Sequence, residues 1–265
     1  MPNLSNPIDF FLSSLPKNIA DSEEYIKNVC QFRNVFHLLK APDFVSILNL
    51  VFGMCAIFFA FSGAFSYAAI CLLIAAVADG VDGYVARKTS GGPLGAHIDS
   101  LADAISFGVA PALLIYCMDM SLISIVFICF YVICGILRLA RYNAFPSKTP
   151  QYSGIPITGA CVFIASSVIL FGELSAVVTV PYSMEFFYIS MFILSLLMIS
   201  TIPYSKAMKK STFLILIFLF SAAILSVFIE IVYVLFFPIL LFFVLLLYLF
   251  SPLLGFVRKK ETLDV

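Results

Sequence analysis

The sequence predicts an all-α polytopic membrane bundle of about eight transmembrane helices, preceded by an amphipathic N-terminal segment. Three observations predict it. Only 11% of the residues are charged and 62% are hydrophobic, against about 25% charged in a soluble domain. Several apolar runs reach about 18 residues or more, close to the roughly 20 helical residues that cross a bilayer core. The runs are continuous rather than short and alternating, which disfavours a membrane β-barrel. Finally, the 15 Lys and Arg residues fall at one side of an alternating topology.

In chain order, the first residues lack a basic start followed by an apolar core, so a cleavable signal peptide is not expected. Over 25–40, Ile26, Val29, Phe36 and Leu39 recur at helical spacing while Lys27, Asn34 and Lys40 fall off the stripe. This pattern suits a helix lying on the membrane surface or packed on the bundle. Spans are predicted near 43–63, 66–87, 94–118, 121–141, 154–172, 185–202, 212–229 and 231–250. If the N-terminus is cytoplasmic, the basic residues precede the first span or follow the second, fourth, sixth and eighth. Among them are Lys40, Arg87, Lys88, Arg138, Arg141, Lys206 and Arg258. The opposite connections hold only Asp119, Glu173, Glu185 and Glu230. Such a positive-inside bias puts both termini in the cytoplasm and favours an even number of spans.

The seven cysteines are scattered without a CxxC pair and read as small packing residues. His37 and His97 do not make a metal cluster by spacing.

The second and third spans carry Asp79, Asp82, Asp99 and Asp103. A carboxylate at a helix centre costs about 2.5–3.5 kcal/mol on the insertion scale, so the four need a shared partner, and their common sign excludes pairing with one another. Asp79 and Asp82 share a helix face, as do Asp99 and Asp103. A short connection with Gly91, Gly92 and Pro93 makes the two helices antiparallel neighbours, and the carboxylates can converge. Clustered oxygen ligands of one sign suit Mg²⁺ or Mn²⁺. Gly83, Ala86 and Gly95 allow close helix approach or a ligand against the backbone. Arg87 ends the second helix, where it either anchors the helix or grips phosphate oxygens.

The pattern Asp79-x2-Asp82-Gly83-x2-Ala86-Arg87-x7-Gly95-x3-Asp99-x3-Asp103 resembles the signature of the CDP-alcohol phosphotransferase family. The resemblance implies a site for a pair of divalent cations held by the four aspartates, with Asp103 as ligand, general base or both. It implies a CDP-linked lipid, CDP-diacylglycerol or CDP-archaeol, bound near Gly83, Ala86, Arg87 and Gly95. Asn49 is a candidate for nucleotide or phosphate contact, or for helix packing. It further implies a six-helix core over 41–203 between a cytoplasmic or interfacial segment, 1–40, and two additional helices with a tail, 204–265. A homodimer in membrane lipid is expected, and no nucleic acid partner.

Three segments resemble the membrane-spanning phosphatidylserine and archaetidylserine synthases: Pro42 to Asn49, Ser106 to Ala112, and Arg138 to Asn143 followed by Gly154 to Ile157. L-serine is then the expected acceptor, with CMP released. Arg138 and Arg141 share a helix face at the depth of the aspartates, where guanidinium groups suit a carboxylate or phosphate. Tyr142 and Asn143 could hydrogen-bond the amino acid. Asp43, where many relatives carry asparagine, points toward an archaeal lipid. The alternatives are glycerol phosphate or inositol phosphate as acceptor and, from another class, a cation transporter.

Overall fold

Pro42, whose fixed φ suits a first helical turn, opens α1 (Ala41–Phe61) in the computed structural model. The structure describes residues 38–86, 94–145, 151–175, 183–205 and 239–249. The Asp43 carboxylate accepts the backbone N–H of Lys40 at 2.8 Å, which satisfies a donor that the helix start would leave unpaired. Gly63, at φ 74°, ends the helix and turns the chain. The faces of α1 invert the soluble pattern. Its buried side carries Ser46, Asn49, Gly53, Ala56 and Ala60, and its exposed side carries Phe44, Leu48, Val51, Phe58 and Phe61. Small and polar residues inward with large apolar residues outward is the arrangement that lipid favours.

The second helix, α2 (Phe65–Ala86), returns along α1 and buries Ala68, Ala69, Leu72, Leu73, Ala75 and Ala76. Next, α3 (Gly95–Met118) crosses back, with a π-helical turn over Ala104–Val109. Pro111 has no N–H for the carbonyl four residues earlier, that of Phe107. The buried Tyr131 hydroxyl donates to that carbonyl at 3.1 Å. Ser121 caps α4 (Leu122–Ala144) by accepting the Ser124 N–H.

The central helix is α5 (Ile157–Ser175), whose residues from Ala160 to Ile169 are all buried. It is followed by α6 (Ser183–Ile199) and α7 (Ile239–Leu249). Phe242 of α7 sits 5.3 Å from Phe163 of α5 and 6.2 Å from Phe186 of α6, ring to ring, which docks α7 on the bundle.

Helices α1, α3 and α4 are long and apolar enough to cross a membrane by length and composition. The expected all-α bundle is therefore present, with one addition. A two-stranded antiparallel ribbon, β1 (Gln151–Ser153) and β2 (Pro203–Ser205), joins the loops beyond α4 and α6. The fifth span begins at Ile157 rather than 154, because Gly154 takes φ 79° and belongs to the turn. The predicted amphipathic segment over 25–40, except its last three residues, lies outside the described residues. So do the span at 212–229 and the start of that at 231–250.

Candidate active site

One end of the bundle gathers the C-terminal end of α2, the N-terminal ends of α1, α3 and α5, and the C-terminal ends of α4 and α6. Asp79 on α2 and Asp99 and Asp103 on α3 meet there. One carboxylate oxygen from each lies within 4.8 Å of the others. The four-residue spacing of Asp99 and Asp103 puts both on the side of α3 that faces α2. Asp103 is 7% exposed, and Asp79 and Asp99 are half-buried.

Neutral donors hold two of these carboxylates. The Thr158 hydroxyl, in the first turn of α5, donates to Asp79 Oδ2 at 3.1 Å. Asn49 Nδ2, from α1, donates to Asp103 Oδ1 at 3.3 Å. The backbone carbonyl of Asn49 in turn accepts the Ser106 hydroxyl at 3.1 Å. One turn along α1, Gly53 lies against Ser106 so closely that a Cβ there would come within 2.7 Å of the Ser106 Cα. Glycine is required at this crossing, and the crossing brings Asn49 to Asp103.

The donor set fits a hard divalent cation, since the clustered ligand atoms are all oxygen and a cation between them would offset the repulsion of like carboxylates. Asn49 is fully buried, and its Oδ1 has no hydrogen-bond partner among the described residues. That leaves an unsatisfied acceptor beside Asp103, suited to a bound donor or cation.

The remaining predicted residues divide. Gly95 opens α3 beside the α1 cap, where a Cβ would meet Asp43 Oδ1 at 2.9 Å. Arg138 is buried, with its guanidinium 5.6 Å from the Tyr142 ring centroid. Asn143 exchanges hydrogen bonds with Ser100, the neighbour of Asp99, at 2.9 and 3.3 Å. Arg141 is committed elsewhere. Its guanidinium donates to the carbonyls of Ser153, Met198, Ile199 and Ser200 at 2.5–3.1 Å. Asp82, Gly83 and Ala86 follow Asp79 on α2, but their side chains, and all of Arg87, lie outside the described residues.

Sequence reasoning missed Thr158. Its signal was slight: a hydroxyl residue at the start of an apolar span, at the same membrane end as the aspartates. A cavity of about 370 Å³ lies at the far end of the bundle, among Gly63, Tyr67, Met118, Phe171 and Phe187.

The family model for CDP-alcohol phosphatidyltransferase matches residues 39–191. The archaetidylserine synthase of Methanothermobacter thermautotrophicus is 37% identical over 181 residues, covering 66% of this chain and 73% of that protein. The CDP-diacylglycerol–serine O-phosphatidyltransferase of Methanocaldococcus jannaschii is 32% identical over 193 residues, 71% of this chain and 82% of that protein. Its namesake in Helicobacter pylori is 37% identical over 135 residues, 49% and 57% of the two chains. The acidic cluster lies within the matched region, on helices of a bundle built for lipid, and the chain belongs to the CDP-alcohol phosphatidyltransferase family of membrane phosphotransferases.

Proposed function

We propose that this enzyme transfers the phosphatidyl or archaetidyl group of a CDP-linked lipid to L-serine and releases CMP. The observation that carries the reading is the convergence of Asp79, Asp99 and Asp103 within 4.8 Å, together with relatives named for transfer to serine or as archaetidylserine synthase. Asp79, Asp82, Asp99 and Asp103 would hold a pair of divalent cations, Mg²⁺ or Mn²⁺. When bound, such cations neutralise phosphoryl oxygens and the departing CMP.

The serine hydroxyl attacks the lipid-side phosphorus. A new P–O bond forms to serine as the bond to the CMP oxygen breaks, and Asp103 accepts the hydroxyl proton. Asn49 holds one Asp103 oxygen by its amide. Gly83, Ala86, Arg87 and Gly95 are the proposed contacts for the CDP-lipid, with Asn49 at the same wall.

For the serine carboxylate we favour Arg138 over Arg141. The support is that Arg141 donates to four backbone carbonyls, while Arg138 is buried near the same end of α4 with its guanidinium over the Tyr142 ring. Tyr142 and Asn143 complete this acceptor wall. The six helices from α1 to α6 form the catalytic core, 41–203. The site faces the cytoplasm, with both termini, and the enzyme works as a homodimer.

An acceptor panel tests the reading. Purified enzyme with CDP-diacylglycerol or CDP-archaeol and Mn²⁺ or Mg²⁺ should release CMP on addition of serine. Release with glycerol phosphate or inositol phosphate, but not serine, would overturn the acceptor. Asp103→Asn should slow turnover by about 10²–10⁴-fold, the usual contribution of a positioned base. Full activity in that variant would remove Asp103 from the proton transfer.

A further inference from the structure

Hydroxyl residues inside helices usually return their proton to the carbonyl four residues back. Ser167 and Ser195 do so here, to Phe163 at 2.7 Å and Met191 at 2.6 Å. Thr158 does not. Its hydroxyl leaves its own helix and donates to Asp79 Oδ2, 79 positions away in the sequence.

The turn that carries Thr158 is held from several sides. The Gly154 N–H donates to the Ile202 carbonyl at 2.8 Å and the Ile155 N–H to the Leu197 carbonyl at 3.2 Å. Gly154 takes φ 79° with the carbonyls of Leu197, Met198 and Ser200 packed where a Cβ would stand. Ile157 is fully buried, and its Cδ1 fills the space that Gly135 leaves, 2.8 Å from where a Cβ would be. A hydroxyl on so fixed a turn has little freedom to follow Asp79, so Asp79 must conform to it.

From this we infer that Thr158 is a positioning residue: it fixes the rotamer of Asp79 and so sets the affinity of the carboxylate cluster for its cation. The inference deepens the proposed function and rests on its reading of Asp79, Asp99 and Asp103 as a cation centre. The chemistry favours a hydroxyl for this task. A lysine or arginine in its place would neutralise Asp79 and compete with the cation, whereas a neutral donor orients one oxygen and leaves the carboxylate its full charge. Hydrogen bonds that orient ligands in this way commonly govern metal affinity by 10–100-fold.

The experiment reads Mn²⁺ binding directly. Mn²⁺ is titrated into purified full-length protein in detergent, with neither lipid nor nucleotide present, and free Mn²⁺ is followed by its EPR signal. Thr158→Val, which keeps the shape and removes the hydroxyl, should weaken Mn²⁺ binding by about 10–100-fold, and Thr158→Ser should stay within about threefold of the parent. Asp79→Asn should bind weakest. Thr158→Val within about threefold of the parent would overturn the inference, and so would a parent that binds no Mn²⁺. If the valine variant does not fold, the comparison of Thr158→Ser with Thr158→Ala isolates the same hydroxyl, and equal affinities there would overturn it. Failure of the transfer reading looks different: a parent that binds Mn²⁺ yet releases no CMP with serine.

Discussion

The Arg141 guanidinium sits among the carbonyls of Ser153, Met198, Ile199 and Ser200. The last carbonyls of α6 have no helical partner, and a cation at a helix C-terminus both hydrogen-bonds them and meets the negative end of the helix dipole. Arg141 therefore ties the end of α4 to α6 and to β1 at Ser153. Lysine has one nitrogen and cannot reproduce this fork. Arg141→Lys is expected to lower stability by about 1.5–3 kcal/mol, the scale of a hydrogen bond to a charged group, read as a fall in the thermal unfolding midpoint in detergent. The folded variant should keep its KM for serine, and a large rise in KM would return Arg141 to the acceptor site. An arginine at the cytoplasmic end of a helix has the same sequence signature whether it anchors, binds an anion or caps a neighbour. The pairing of Arg138 with Arg141 was therefore legible only as a candidate. Asp79, Asp99 and Asp103 were legible, since carboxylates at helical spacing in apolar runs are too costly to be incidental.

At the scale of the element, the crossing of α1 over the π-helical turn of α3 decides the geometry of Asp103. Gly53 permits the approach, Ser106 bonds the Asn49 carbonyl, and Asn49 bonds Asp103. Gly53→Ala would force α1 away from Ser106 backbone as well as side chain, at a cost of about 1–3 kcal/mol for an overpacked contact. We expect a lowered unfolding midpoint and a loss of turnover larger than that destabilisation alone explains. An unchanged midpoint would show that the two helices separate freely. Helices α1 to α6 were read from apolar runs with ends within a few residues. The π-helical turn was not, because it depends on Pro111 withholding an N–H and on a tyrosine 24 positions away from the carbonyl it serves. The ribbon of β1 and β2 escaped for a like reason: three-residue strands carry no periodicity, and their pairing joins loops about 50 positions apart.

Across the whole molecule, the chemistry gathers at one end and a different polar cluster closes the other. There Asp119 accepts hydrogen bonds from Ser121 and Tyr188, linking the α3–α4 turn to α6. We propose from the charge pattern that the carboxylate end faces the cytoplasm. In a cysteine-free background, the exposed positions Phe145 and Met120 mark the two ends. Phe145→Cys should be protected from a membrane-impermeant maleimide in intact cells and react after lysis, while Met120→Cys should react in both. The reverse pattern would invert the topology and with it the side from which serine arrives.

The bond between Thr158 and Asp79 also bears on the order in which the chain is made. The helices emerge from the ribosome in sequence, and Thr158 follows Asp79 by 79 residues. At ordinary synthesis rates of about 5–20 residues per second, that is a delay of about 4–16 s. During this interval α2 and α3 carry their carboxylates with no α5 to receive them. A ribosome paused within α4 holds an acidic hairpin that cannot yet be finished, and the arrival of the first turn of α5 completes it.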